Sequence, residues 1–442
     1  MSTHQTIVVE LGCSRIKVGF AGESRPRRVL SCSDESSDGS MAPLGIDDGM
    51  CTSSCWNHFY QYLSSSSSSD AAATDNNVHI KTASSYEWEK TLYPLFSYIL
   101  TSVLFIQRPS RHRMLVLMND IFPPRHLREA LIRVVLEYLN LGSVLLLNGG
   151  GFGSIQYLLE GMSLSSESSK TQQHIASLLV DIGTNEARVA ISVPGPSFLI
   201  ETYQVIPAGY QAFLRQVMRL YRDAGEDFAL TDVNAIVQKW ISAPNTNTSI
   251  STISVELPTR TKQSNELSET STVPSTTQIS VQPLLLAFRQ VYLDYTQPTS
   301  LVYAILNSAL ASPIDYRKVS LQNVILLGGG SVALRSFGQG LKVELETAIR
   351  AACGVLVGGE TQAMEEEKKD DGIEVSSIAQ GRFQGLKKAV EGSSGQGGIQ
   401  IKYPDPFAAD VAHWVGASVM GKLRLANEDW ITADSSTNRF RR

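Results

Sequence analysis

Asp181 ends an apolar run, residues 178–180, and Gly183 and Asn185 follow it at once. Glycine and asparagine tolerate the φ > 0 that a tight hairpin turn requires. Val189, Ile191 and Val193 then alternate as a half-buried strand should. A carboxylate at a strand end beside such a turn is placed to hold a phosphate-bound Mg²⁺ through water. The same letters also fit an ordinary β-hairpin with a surface carboxylate. A second stretch has the same build: strand 6–11, the turn Gly12-Cys13-Ser14, and strand 15–21 with Ile16, Val18 and Phe20 alternating. A turn of small residues presents backbone N–H groups to an anion. Lys17 adds a positive charge, or is simply a solvated strand lysine. A third candidate is the run Gly328-Gly329-Gly330, which follows strand 323–327 and precedes the helical pattern Phe337–Ala352. Three glycines between strand and helix let a ligand approach the backbone. The NGGGF run at 148–152 has neither P-loop nor dinucleotide-fold spacing and is read as a turn into a helix over 155–161.

The elements that must position these groups form two similar halves. The first hairpin is followed by a helical pattern over 87–105, an apolar strand over 114–118, and a helix opened by Pro123-Pro124 with Leu127, Leu131, Val134 and Tyr138 on one face. The apolar strand Ser143–Leu147 follows. Strand, helix, strand predicts a βαβ unit with parallel pairing. The hairpins begin about 170 residues apart, at Thr6 and Ser177, which indicates duplication at the scale of a domain. Residues 1–176 and 177–442 are the expected halves, and a cleft between them is the expected ligand site. Two stretches, 31–77 with its Ser64–Ser69 homopolymer and the Ser/Thr-rich 243–278, read as low-complexity inserts. Residues 312–318 read as a turn. The helical pattern over 410–423 is expected to pack back on the first half.

Composition narrows the classes. The chain has 442 residues, of which 43% are hydrophobic, enough for a large core. With a net charge of −5 no basic face is implied, so nucleic acid is not an expected partner. The five cysteines are an odd number and form no framework. Cys51, Cys55 and His58 are close in sequence, but their spacing fits no standard zinc pattern. No apolar stretch reaches the ~18 residues of a membrane span, and the N-terminus lacks a signal-peptide pattern. The expectation is a soluble intracellular protein without direct membrane insertion.

Several motifs occur together in a familiar order. Gly12-Cys13-Ser14 through Lys17-Val18-Gly19-Phe20-Ala21-Gly22-Glu23 resembles the opening of actin, including its GFAG signature. Asp181-Ile182-Gly183-Thr184 is similar to actin's second phosphate hairpin, Ala208-Gly209 to its hinge glycine, Gly328-Gly329-Gly330 to its adenosine turn, and Trp414-Val415-Gly416-Ala417-Ser418 to its late helix. The chain is identified as a member of the actin superfamily. The resemblance implies an α/β, ribonuclease H-like duplicated fold with a nucleotide cleft between the halves. It also implies ATP or ADP with Mg²⁺ as ligand, held by Gly12, Cys13, Ser14, Lys17, Asp181, Gly183, Thr184, Gly328, Gly329 and Gly330, with Asp181 on the metal side.

The departures from actin are equally specific. Glu10 stands where actin has Asp, Asn148-Gly149 where it has the water-positioning Gln, and Arg188 where it has the catalytic His. Thr184 replaces the second acidic residue of the hairpin, while Ala333 and Asp410 replace the Tyr and Lys near the adenine. Phosphoryl transfer needs a positioned water, a metal and charge stabilisation, so hydrolysis is expected to be very weak or absent. Nucleotide occupancy is left open. Residues 111–119, 124–147 and 312–318 resemble the actin-related proteins of the dynactin pointed end. That resemblance implies a non-catalytic cap on a short actin-like filament. The implied partners are sister actin-related filament subunits and other pointed-end subunits, in the cytoplasm and cytoskeleton. The alternatives are an active ATPase of the same fold and a nuclear actin-related protein of a chromatin-remodelling complex.

Overall fold

The computed structural model describes residues 5–12, 14–31, 85–118, 123–148, 152–165, 176–193, 197–242, 252–256, 276–329, 337–352, 383–387, 398–423 and 430–433. Cys13, Gly330, Ala333, the group at 51–58 and nearly all of the insert at 31–77 lie outside them.

The chain opens with an antiparallel meander of β1 (Gln5–Leu11), β2 (Arg15–Phe20) and β3 (Arg28–Ser31). Helix α1 (Ser85–Tyr98), extended by a π-helical turn over Ile99–Val103, returns the chain to β4 (His112–Met118), which lies parallel to β1. Helix α2 (Arg125–Arg133) with the π-helical turn Val134–Tyr138 then leads to β5 (Ser143–Leu147), parallel to β4. The order of this sheet is β3-β2-β1-β4-β5. Helix α3 (Phe152–Ser165) leaves it.

The second half repeats the plan. Strands β6 (Ser177–Ile182), β7 (Ala187–Val193) and β8 (Ser197–Ile206) form the antiparallel meander. Next come α4 (Tyr210–Asp223), α5 (Leu230–Ser242), the pair β9 (Thr252–Glu256) and β10 (Thr276–Ser280), and α6 (Gln282–Phe288) with a π-helical turn over Arg289–Leu293. Helices α7 (Leu301–Ala311) and α8 (Ile314–Leu321) precede β11 (Val324–Gly328), which is parallel to β6. Helix α9 (Phe337–Ala352), the short β12 (Ile401–Lys402) parallel to β11, and α10 (Ala412–Lys422) complete the described chain. The sheet order is β12-β11-β6-β7-β8, the same connectivity as the first sheet.

Strand alternation sorts the side chains into separate cores. Ile7, Val9 and Leu11 face a core closed by Leu92 and Phe96 of α1 and Leu127 and Leu131 of α2. Leu178, Val180 and Ile182 face the larger core of the second half. The opposite faces of the two sheets share one core. There Val8, Leu115 and Leu117 of the first sheet meet Leu179, Ala190, Ile325 and Leu327 of the second, with α3 and α10 between them. Helix α10 packs on α3 and on the first sheet. The Trp414 indole donates to the Val8 carbonyl at 3.2 Å, and Ser418 Oγ donates to the Glu23 carbonyl at 2.7 Å.

Two local expectations are corrected. Residues 312–318 are not only a turn, because Ile314–Leu321 is helical. Pro313, with its fixed φ, is suited to the position just ahead of a first helical turn. The expected insert at 243–278 contains strand, since Thr252–Glu256 and Thr276–Ser280 pair antiparallel with Ile253, Val255 and Ile279 buried. A period-two apolar pattern was hidden there by the surrounding Ser and Thr. Among the described residues no helix is long and apolar enough to cross a membrane.

Candidate functional site

The candidate residues sit where the two meanders face each other. In β1 and β2, Glu10 lies directly across from Lys17, one pair before the turn-closing pair Leu11 and Ile16. In β6 and β7, Asp181 lies across from Arg188, one pair before Ile182 and Ala187. The turns close alike: the Gly12 N–H donates to the Arg15 carbonyl at 3.1 Å, and the Gly183 N–H donates to the Glu186 carbonyl at 2.9 Å. Each hairpin therefore carries a carboxylate and a cation seven residues apart, on the face turned toward the shared core.

Both pairs are closed and nearly dry. Lys17 Nζ donates to Glu10 Oε1 at 2.5 Å, with both side chains about nine-tenths buried. Arg188 Nη1 donates to Asp181 Oδ2 at 3.2 Å, and its Nη2 bonds Glu186 as well. The Arg188 guanidinium is thus held between two carboxylates with only 3% of its side chain exposed. His413, at the start of α10, brings Nε2 within 3.6 Å of Asp181 Oδ1, near enough for charge attraction but longer than a hydrogen bond. Burial pushes the Asp181 carboxyl up, but His413, Arg188 and Lys17 together outweigh it and bring it down to about 2.

The tips of the two hairpins touch. Ser14 Oγ and Thr184 Oγ1 are 2.8 Å apart, a hydrogen bond between the halves. The second tip is also pinned from behind, where Tyr210 and Gln211 at the start of α4 donate their N–H groups to the Gly183 and Thr184 carbonyls at 3.0 and 2.8 Å. Gly209 permits that approach, since a Cβ there would lie 2.3 Å from the Asn185 carbonyl carbon. The glycine turn after β11 closes the third side. Gly328 has φ +105° and packs on the second hairpin so tightly that a Cβ would stand 2.2 Å from the Ile182 carbonyl oxygen. Gly329 lies beside Asp410, and Arg15 Nη1 reaches Asp410 Oδ2 at 4.0 Å, joining the first hairpin to this turn.

The structure thus brings Gly12, Ser14, Lys17, Asp181, Gly183, Thr184, Gly328 and Gly329 around one cleft floor. Each of the four described side chains expected to hold phosphate or metal is bonded to another side chain: Lys17 to Glu10, Ser14 to Thr184, Asp181 to Arg188. A Mg²⁺ ion beside Asp181 would share that carboxylate with a guanidinium, a like-charge arrangement. Among the described residues no cluster of three or more potential metal ligands forms. The residues present do not fit a metal-bound phosphate in this arrangement. Sequence reading missed Glu186, His413 and the Arg15–Asp410 pair. The repeated carboxylate-to-cation spacing of seven was the available signal for the two core pairs.

Comparison with known proteins bears on the fold. The family model for actin matches residues 1–276, more than half of the chain. Actin-related protein 10 of Dictyostelium discoideum is 22% identical over 217 residues, covering 49% of this chain and 40% of that protein. The match therefore spans less than half of that relative. Two meanders of one connectivity, glycine turns around a common cleft and a family match across most of the chain lead to one conclusion: the chain belongs to the actin family.

Proposed function

We propose that the chain is a non-catalytic, actin-fold assembly subunit that caps the pointed end of a short filament of actin-related proteins in the dynactin complex. In that role it would support dynein-driven, microtubule-based transport from the cytoplasmic cytoskeleton. The observation that carries the non-catalytic reading is Arg188, buried between Asp181 and Glu186 where actin has its catalytic histidine. A guanidinium does not act as a general base, and here it neutralises the carboxylate that a metal would use. The Ser14–Thr184 hydrogen bond already joins the walls of the cleft, so a bound nucleotide would add to a contact that the chain makes by itself. The assembly reading is supported by the likeness to actin-related protein 10. Capping is physically reasonable for such a chain. Head-to-tail contacts that do not close produce filaments, so a subunit that keeps one complementary surface and loses the other terminates them. Native purification with mass spectrometry of co-purifying proteins tests this: dynactin subunits are expected, and their absence would overturn the assembly reading.

A further inference from the structure

The floor of the cleft carries its own counter-charges. Glu10, Asp181 and Glu186 contribute three carboxylates and Lys17 and Arg188 two cations, each with a side chain no more than 13% exposed. With His413 neutral, the group holds one negative charge in excess, in surroundings that screen little. Lys17 is bonded to Glu10, and Arg188 commits Nη1 to Asp181 and Nη2 to Glu186. Glu10 Oε2 is buried without a hydrogen-bond partner among the described residues, so it adds an acceptor to a floor where an anion requires donors. A polyphosphate brought here would share each cation with a carboxylate already bonded to it. A buried charge left short of counter-charge is costly.

The same side chains do the bridging that a ligand in a cleft otherwise does. Ser14 Oγ and Thr184 Oγ1 bond across it at 2.8 Å. Lys17 of the first hairpin is among the charges that keep Asp181 of the second ionised. The Arg15–Asp410 contact, at 4.0 Å between exposed side chains, adds little. Beneath them Val8 and Leu117 of the first sheet share a core with Leu179 and Leu327 of the second, and that burial is the larger contribution. We propose that this chain closes its cleft with its own side chains, and that its folded state neither holds nor requires a nucleotide or Mg²⁺. The inference goes beyond the non-catalytic reading, because a catalytically silent protein of this fold can still depend on bound nucleotide for its stability. It is also independent of the pointed-end reading, which concerns partners and not the cleft.

The test uses the purified full chain. Acid extraction followed by ion-exchange chromatography is expected to release no stoichiometric adenine nucleotide, and mant-ATP with Mg²⁺ is expected to show no saturable binding. Millimolar Mg²⁺-ATP, or EDTA, is expected to move the melting temperature by less than about 1 °C, whereas a ligand far above its Kd raises it by several degrees. Thr184→Val removes the contact between the hairpin tips at nearly constant volume. Hydrogen exchange of the Gly183–Glu186 turn is expected to be several-fold faster in that variant, with no slowing by Mg²⁺-ATP in either protein. Co-purifying nucleotide, saturable mant-ATP binding, or a melting-temperature change of several degrees with Mg²⁺-ATP or EDTA would overturn the proposal. Exchange at this turn that is unchanged in Thr184→Val, or slowed by Mg²⁺-ATP in the native chain, would overturn it equally.

Discussion

Residue by residue, the cleft is dominated by compensated charge. Burying two charges is tolerable when they pair, and removing one partner is not. Arg188→Ala is therefore expected to destabilise the protein by about 3–5 kcal/mol, and replacing Asp181, Glu186 and Arg188 together by apolar residues of similar volume is expected to recover most of that loss, measured by chemical denaturation. The pair also sets an acid response. The Asp181 carboxyl sits at about 2 in the folded chain against 3.8 for an unperturbed aspartate. Its contribution is thus complete above about pH 4 and is lost as pH falls toward 2, because the unfolded state takes up the proton first. Melting temperatures of the native chain and Asp181→Asn should differ most above pH 4 and converge toward pH 2. Much of this was legible in the letters. Asp181, Lys17 and the glycines could be placed from turn chemistry and strand pattern alone. Their mutual occupation was signalled only by the carboxylate-to-cation spacing of seven in each hairpin, which tells whether Lys17 faces a phosphate or Glu10 only once the cross-strand register is known.

At the scale of elements, α3 and α10 hold the halves together. Gly416 of α10 lies so close to α3 that a Cβ would come within 2.3 Å of the Ser154 carbonyl oxygen. Gly416→Ala should therefore force the helices apart and cost more than about 2 kcal/mol, whereas Gly329→Ala, whose nearest contact would be 3.9 Å away, should change stability by less than about 0.5 kcal/mol. Thermal melts of the two variants side by side check this contrast. The strands with continuous apolar runs, β4, β5 and β6, were plain from sequence because burial on both faces leaves a strong signal. Helix α8 and the β9–β10 pair were not. The first is short and starts just beyond a proline. In the second, two or three apolar residues do the burying within a Ser/Thr-rich background.

For the whole molecule, the duplication explains why one plan yields two unequal sites. Both meanders place a carboxylate opposite a cation, yet only the second adds Glu186 and His413 around its pair. The halves meet through a shared core and through polar contacts across the cleft, so the closed arrangement is carried by the chain's own side chains. Actin-fold hydrolysis, by contrast, needs a free carboxylate for the metal and a side chain that positions water. The most direct test is phosphate release from Mg²⁺-ATP by the purified full chain, run beside conventional actin. No release above the buffer control is expected, and turnover at the rate of conventional actin would contradict the account.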